Sequence, residues 1–144
     1  SQLVRPEIRS VFANGEAMLT GKIKVGKKEI RMKKEDFQKI IQVHDRIRDH
    51  AETFVTIYAL SQEFSIGEQK LKAGFQKLYQ QTIWDYANQV RMNRAAVLLK
   101  DPEKSIAEIS ALTGYQSQVA FRKMFKKWSG TTPGRFRAFI REEN

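Results

Sequence analysis

Two periodicities divide the chain. Apolar residues alternate at Ile23 and Val25, then at Ile30 and Met32, about Gly26-Lys27-Lys28. Period two around a glycine-containing turn predicts a short β-hairpin. Two strands alone are barely stable in water, so this piece must lean on something else. From Lys34 the spacing lengthens to that of one helix face, with Phe37, Ile40, Ile41, His44, Ile47 and Arg48 at i, i+3, i+4 and i+7. From Thr56 the pattern repeats itself. Thr56-Ile57-x-x-Leu60-Ser61 returns 49 residues later as Ser105-Ile106-x-x-Ile109-Ser110. Leu71, Phe75 and Leu78 return at an offset of 50 as Phe121, Phe125 and Trp128, Thr82 as Thr132, and Tyr86 as Phe136. The chain holds one supersecondary unit twice, with one residue added inside the second turn.

Each copy reads as helix, tight turn, helix. In the second, Ser105 with Glu108 three residues on forms a capping box, and Gly114 ends the helix in the left-handed conformation. Ser117 then caps a helix that runs to about Trp128 and stops before Gly130. That helix buries Phe121, Met124, Phe125 and Trp128 and turns Gln118, Val119, Arg122, Lys123 and Lys126 outward. In the first copy the turn is Ser65-Ile66-Gly67. The helix after it buries Leu71, Phe75 and Leu78 and exposes Gln69, Lys72 and Ala73. Two short helices joined by such a turn form the helix-turn-helix unit, whose second helix enters a major groove. Between the copies, Ile83–Lys100 is predicted as one helix of roughly 27 Å, with Tyr86, Ala87, Val90, Ala95, Leu98 and Leu99 on its apolar face and Arg91 and Arg94 beside them. Asp101-Pro102 ends it, because the residue before proline disfavours helix.

Composition narrows the chemistry. The chain carries 26 Lys+Arg against 16 Asp+Glu, a net charge of +10, and no Cys. Thiol catalysis, disulfides and thiolate metal sites are excluded. Seven cations fall between Ser117 and Arg141 with no acid among them, and a polyanion such as phosphate is the natural partner for such a segment. His44 and His50, six apart, do not share a helix face and are read as core or surface residues rather than metal ligands. No catalytic grouping, cofactor or membrane span is expected. A non-specific nucleic-acid or RNA-binding module is the rival reading of the charge, but the duplicated helix-turn-helix does not fit it, and RNA modules stack bases on exposed aromatics, whereas these aromatics fall on buried stripes.

Gly114-Tyr115-Gln116-Ser117, then Phe121, Phe125-Lys126-Lys127, Gly130, Thr132-Pro133 and Phe136-Arg137, resemble the signature of AraC/XylS-type transcription regulators. Leu60, Leu71, Phe75, Tyr86, Arg91, Ala95, Leu98 and Leu99 extend the match, which covers about residues 53–141. The resemblance implies an all-α domain of seven helices: two homeodomain-like helix-turn-helix units in tandem, at about 56–79 and 105–129, joined by a long helix. It also implies a bacterial, cytoplasmic regulator, an activator by expectation, that binds double-stranded promoter DNA and contacts RNA polymerase. Gln69, Lys72 and Ala73 would face bases from the first recognition helix, and Gln118, Val119, Arg122 and Lys123 from the second. Ser117, Lys126 and Lys127 are phosphate candidates. Arg91 and Arg137 are either phosphate contacts or internal partners.

Family members often carry a separate sensory or dimerisation domain. Residues 1–33 are too short for one, so a larger regulator is expected, with 34–144 as its DNA-binding part. Two departures from the family pattern and one interior glycine point to a weaker first unit. Gly67 replaces a Ser-type cap. Gln80 stands where glycine usually supplies a left-handed cap, so that cap is not expected. Gly74 lowers helix stability by about 1 kcal/mol relative to Ala.

Overall fold

A computed structural model describes residues 21–143; the part of the N-terminal extension at residues 1–20 lies outside them. The described residues form a hairpin of β1 (Gly21–Val25) and β2 (Lys28–Met32) followed by seven helices. These are α1 (Lys34–His50), α2 (Ile57–Glu63), α3 (Glu68–Tyr79), α4 (Ile83–Leu98), α5 (Ile106–Leu112), α6 (Gln118–Ser129) and α7 (Pro133–Glu143). The expected all-α fold with an N-terminal hairpin is therefore present. It divides into two compact units, one reaching to Ile47 and resuming over Val55–Tyr86, the other made of Arg48–Phe54 and the chain from Ala87 onward.

The first unit is built around α3. Leu71 and Phe75 are fully buried, and His44 from α1 stacks on Tyr79 and Tyr86 with ring centroids 4.3 and 4.5 Å apart. Along α1, Val43 is buried as well as the predicted Phe37, Ile40, His44 and Ile47, while Arg48 is exposed. The hairpin pairs antiparallel with Ile23 opposite Ile30, and Met32 is fully buried. Gly74 acquires a reason here. A Cβ on it would overlap Ile40 Cδ1 and come within 2.9 Å of Met32 Cε, so the bare backbone of α3 is the seat for both side chains.

The second unit packs Met92, Ala95 and Leu99 against Ile109, Phe121 and Phe125, with Phe136 edge-on to Phe125 at 5.2 Å. Trp128, expected in the buried stripe, is 38% exposed, with its ring centroid 5.6 Å from that of Phe125. It lies on the last turn of α6, where the stripe drifts away from the core. Helix α4 ends two residues earlier than predicted, since its last turn tightens into i→i+3 bonds from Lys100 to Val97 and from Asp101 to Leu98.

The duplication reaches individual hydrogen bonds. Ile66 N–H donates to Ser61 O and Tyr115 N–H to Ser110 O, both at 3.0 Å. Thr82 Oγ1 caps α4 by accepting from Asp85 N–H, and Thr132 Oγ1 caps α7 by accepting from Arg135 N–H. Each turn contains a left-handed residue, Ser65 at φ 51° and Gly114 at φ 95°. A Cβ at Gly114 would overlap the carbonyl oxygen of Glu52, which glycine alone avoids.

One sequence expectation is corrected. Gln80 does adopt the left-handed conformation, at φ 60°, and its N–H closes α3 by donating to Gln76 O at 2.9 Å. Its side-chain amide donates to Lys77 O at 3.1 Å, a second local bond that helps hold a conformation glycine would adopt more cheaply.

Gly74→Ala separates the two influences on α3. Helix propensity alone favours alanine by about 1 kcal/mol, whereas overpacking a filled core costs about 1–3 kcal/mol. Ile40 and Met32, the side chains that would have to shift, are fully buried. Urea denaturation is expected to show a net loss of stability; a gain would mean that the packing around Gly74 is loose.

Candidate nucleic-acid interface

The two second helices are presented in the same way. Helix α6 is anchored by Ser117, whose Oγ accepts from Ala120 N–H at 3.3 Å, and closed by Gly130 at φ 88°. Phe121 and Phe125 fix its rotation. That leaves Gln118, Val119, Arg122, Lys123, Lys126 and Lys127 exposed, with Val119 at 69%. Lys126 and Lys127 occupy the last turn, where the helix dipole favours cations.

Helix α3 starts at Gly67, which provides no side-chain cap, as expected from its sequence. Gln69 and Lys72 are exposed and Ala73 is partly buried. Gln76 completes their i, i+3, i+4, i+7 row and is exposed. The sequence reading overlooked it, although the spacing alone would have found it.

Two cations leave the surface set. Arg91 is buried within the second unit. Its Nε donates to Ala51 O at 2.5 Å, Nη1 donates to Asn88 Oδ1 at 3.2 Å, and the guanidinium lies 3.5 Å from the Phe54 ring centroid. Burial pushes its pKa down from the usual value, while Tyr115 and Glu52 pull it back up. Burial also raises the Tyr115 phenol, whose hydroxyl donates to the same Asn88 Oδ1 at 2.8 Å. Arg137 is half-buried and gives its donors to the carbonyls of Leu99, Asp101 and Lys104 at 3.1, 3.2 and 2.6 Å. Of the two roles open to each arginine, these bonds support the internal one.

Arg94, placed by the sequence beside the apolar face of α4, donates to Arg48 O and Asp49 O, the carbonyls that the end of α1 leaves open. Among the described residues no group of three or more His, Cys, Asp or Glu could hold a metal, and no helix is long and apolar enough to cross a membrane.

If Arg91 is internal, Arg91→Met strands the Ala51 carbonyl and loses hydrogen bonds from a charged donor, at a cost of about 1.5–3 kcal/mol. Thermal melting is expected to fall, while the folded variant keeps its DNA affinity. Unchanged melting with weakened DNA binding would return Arg91 to the interface.

Comparison with known proteins fits this geometry. A family model described as a helix-turn-helix domain matches residues 60–138. The Msm operon regulatory protein of Streptococcus mutans serotype c is 33% identical over 99 residues, which are 69% of this chain and 36% of that protein. The regulatory protein SoxS of Escherichia coli is 32% identical over 101 residues, 69% of this chain and 94% of SoxS. The chain thus spans about a third of the operon regulator and nearly all of the smaller protein. The DNA-binding domain of AdpA, solved with a target DNA, superposes with a TM-score of 0.69 over 74% of this chain and 96% of that one; at 21% identity the fold is what the two share. The chain belongs to the AraC/XylS family of transcription regulators and carries its domain of two helix-turn-helix units.

Proposed function

We propose that this domain binds promoter DNA in a sequence-specific manner and activates transcription in the bacterial cytoplasm, without catalysis, with α3 and α6 entering successive major grooves. The observation that carries this reading is the outward row of α6. Gln118, Arg122 and Lys123 are exposed on a helix that contains no Asp or Glu and whose opposite side is locked by Phe121 and Phe125. Arg and Lys can pair with guanine O6 and N7, Gln with an adenine edge, and Val119 can meet a thymine methyl. Helix α3 offers Gln69, Lys72 and Ala73 in the same sense. Ser117, Lys126 and Lys127 are suited to phosphates, which position the protein without carrying sequence. RNA polymerase is proposed as a second partner, and a sensory or dimerisation domain as a companion in the whole protein.

Arg122→Ala and Lys126→Ala distinguish the two roles. Measured on a panel of single-base variants of a bound duplex, Arg122→Ala is expected to cost about 1–3 kcal/mol and to relax preference at one position. Lys126→Ala is expected to weaken all sequences nearly equally. Loss of affinity in both variants with every base preference intact would remove Arg122 from the reading set.

A further inference from the structure

The match to the family begins at residue 60, well past the hairpin, yet the hairpin lies alongside the first recognition helix. Within the first unit, an open groove of about 1030 Å³ runs between β1 and α3, with Lys22 and Lys24 on the strand side and Gln69, Lys72, Ala73 and Gln76 on the helix side. Strand register explains what the hairpin displays. Gly21 pairs with Met32 and Ile23 with Ile30, and directly opposed residues share a face. The apolar side chains therefore turn together toward the interior, where Met32 meets Gly74. Lys22 opposite Arg31 and Lys24 opposite Glu29 take the other face, and Lys27 and Lys28 stand exposed at the turn. The hairpin thus carries five cations against one carboxylate.

Charge decides what the groove suits. A segment that shielded α3 by imitating DNA would be acidic, whereas this hairpin has the same sign as the helix beside it. The groove lining holds four lysines (Lys22, Lys24, Lys72 and Lys77) against Glu68. Like charges along the lining of one open groove repel until a polyanion lies among them. Building on the DNA-binding reading above, we propose that the hairpin is a basic wing. One phosphodiester strand bordering the major groove that α3 enters runs between β1 and α3, with Lys22 and Lys24 on its phosphates. The wing adds affinity without base preference.

The test compares the full chain with Lys22→Gln/Lys24→Gln and with Lys126→Gln/Lys127→Gln. Binding to a duplex recovered from a random pool is followed by fluorescence anisotropy between about 50 and 200 mM salt. These lysines are exposed, and circular dichroism confirms that each variant keeps its fold. Each phosphate that a variant no longer neutralises takes about 0.9 off the slope of log K against log salt. The hairpin variant is therefore expected to bind more weakly with a slope shallower by about 1.8, so that its deficit shrinks roughly tenfold between about 50 and 200 mM salt, with unchanged base preference. An unchanged slope in the hairpin variant, with the α6 variant still weakened, would overturn the wing. A rise in affinity would overturn it too, since the hairpin would then be shielding α3. Absence of salt-dependent binding by the unaltered chain would instead overturn the DNA-binding reading itself.

Discussion

A helix of twelve residues is marginal in water, because the cost of nucleation is recovered over too few hydrogen bonds. Helices α3 and α6 are both of that length, so each depends on burying one side. Leu71, Phe75 and Leu78 supply that side in α3, and Phe121 and Phe125 in α6. The same burial fixes which residues remain outside. Since side chains three and four apart share a face, locking the aromatic stripe inward necessarily turns Gln69, Lys72 and Gln76, or Gln118, Arg122 and Lys123, outward. Stability and presentation of the polar row are one constraint. The rest of the fold supplies walls for the two stripes, with α1 and the hairpin in the first unit and α4, α5 and α7 in the second.

The two units meet that constraint with different local means. In the second, Ser105 and Glu108 form a capping box, Ser117 caps α6 and Gly130 closes it, so each helix end is satisfied from nearby sequence. In the first, α3 has an uncapped start, a glycine in its interior and a non-glycine residue in left-handed conformation at its end. Taken locally, these features describe a poor helix. Its tertiary contacts are correspondingly specific: Ile40 and Met32 fill the space over Gly74, and His44 stacks on Tyr79 at its last turn. Propensity is overridden here by packing, which is why a helix with weak ends can still present an ordered surface.

Much of this was legible in the sequence, for a physical reason. Caps, turns and apolar stripes act over three to seven residues, so Ser105, Ser117 and Gly130 and the hairpin about Gly26 could be read directly. The internal repeat added a check, since Thr82 and Thr132 perform the same capping task fifty residues apart. Much of what escaped depends on partners distant in sequence. The fate of Arg91 rests on Ala51, forty residues away, and that of Arg137 on carbonyls more than thirty residues away. An arginine on a basic helix looks the same in sequence whether it faces phosphate or a buried carbonyl. Gly74 was read as a weakness because its neighbours Met32 and Ile40 lie outside any local window. Trp128 was assigned to the core because a periodic pattern does not show where the core ends.

The central claim is that two similar frames carry unlike polar rows, one led by Gln69 and Lys72 and the other by Gln118 and Arg122, and that both rows read DNA. Selection of duplexes from a random pool by the full chain addresses this directly. Two helices reading one face of B-DNA enter grooves about 34 Å apart, or roughly 10 base pairs centre to centre. The expected result is enrichment of two unlike half-sites at that spacing in a fixed order. Enrichment of a single short motif would show that only one row reads bases, and no enrichment over the starting pool would contradict the account as a whole.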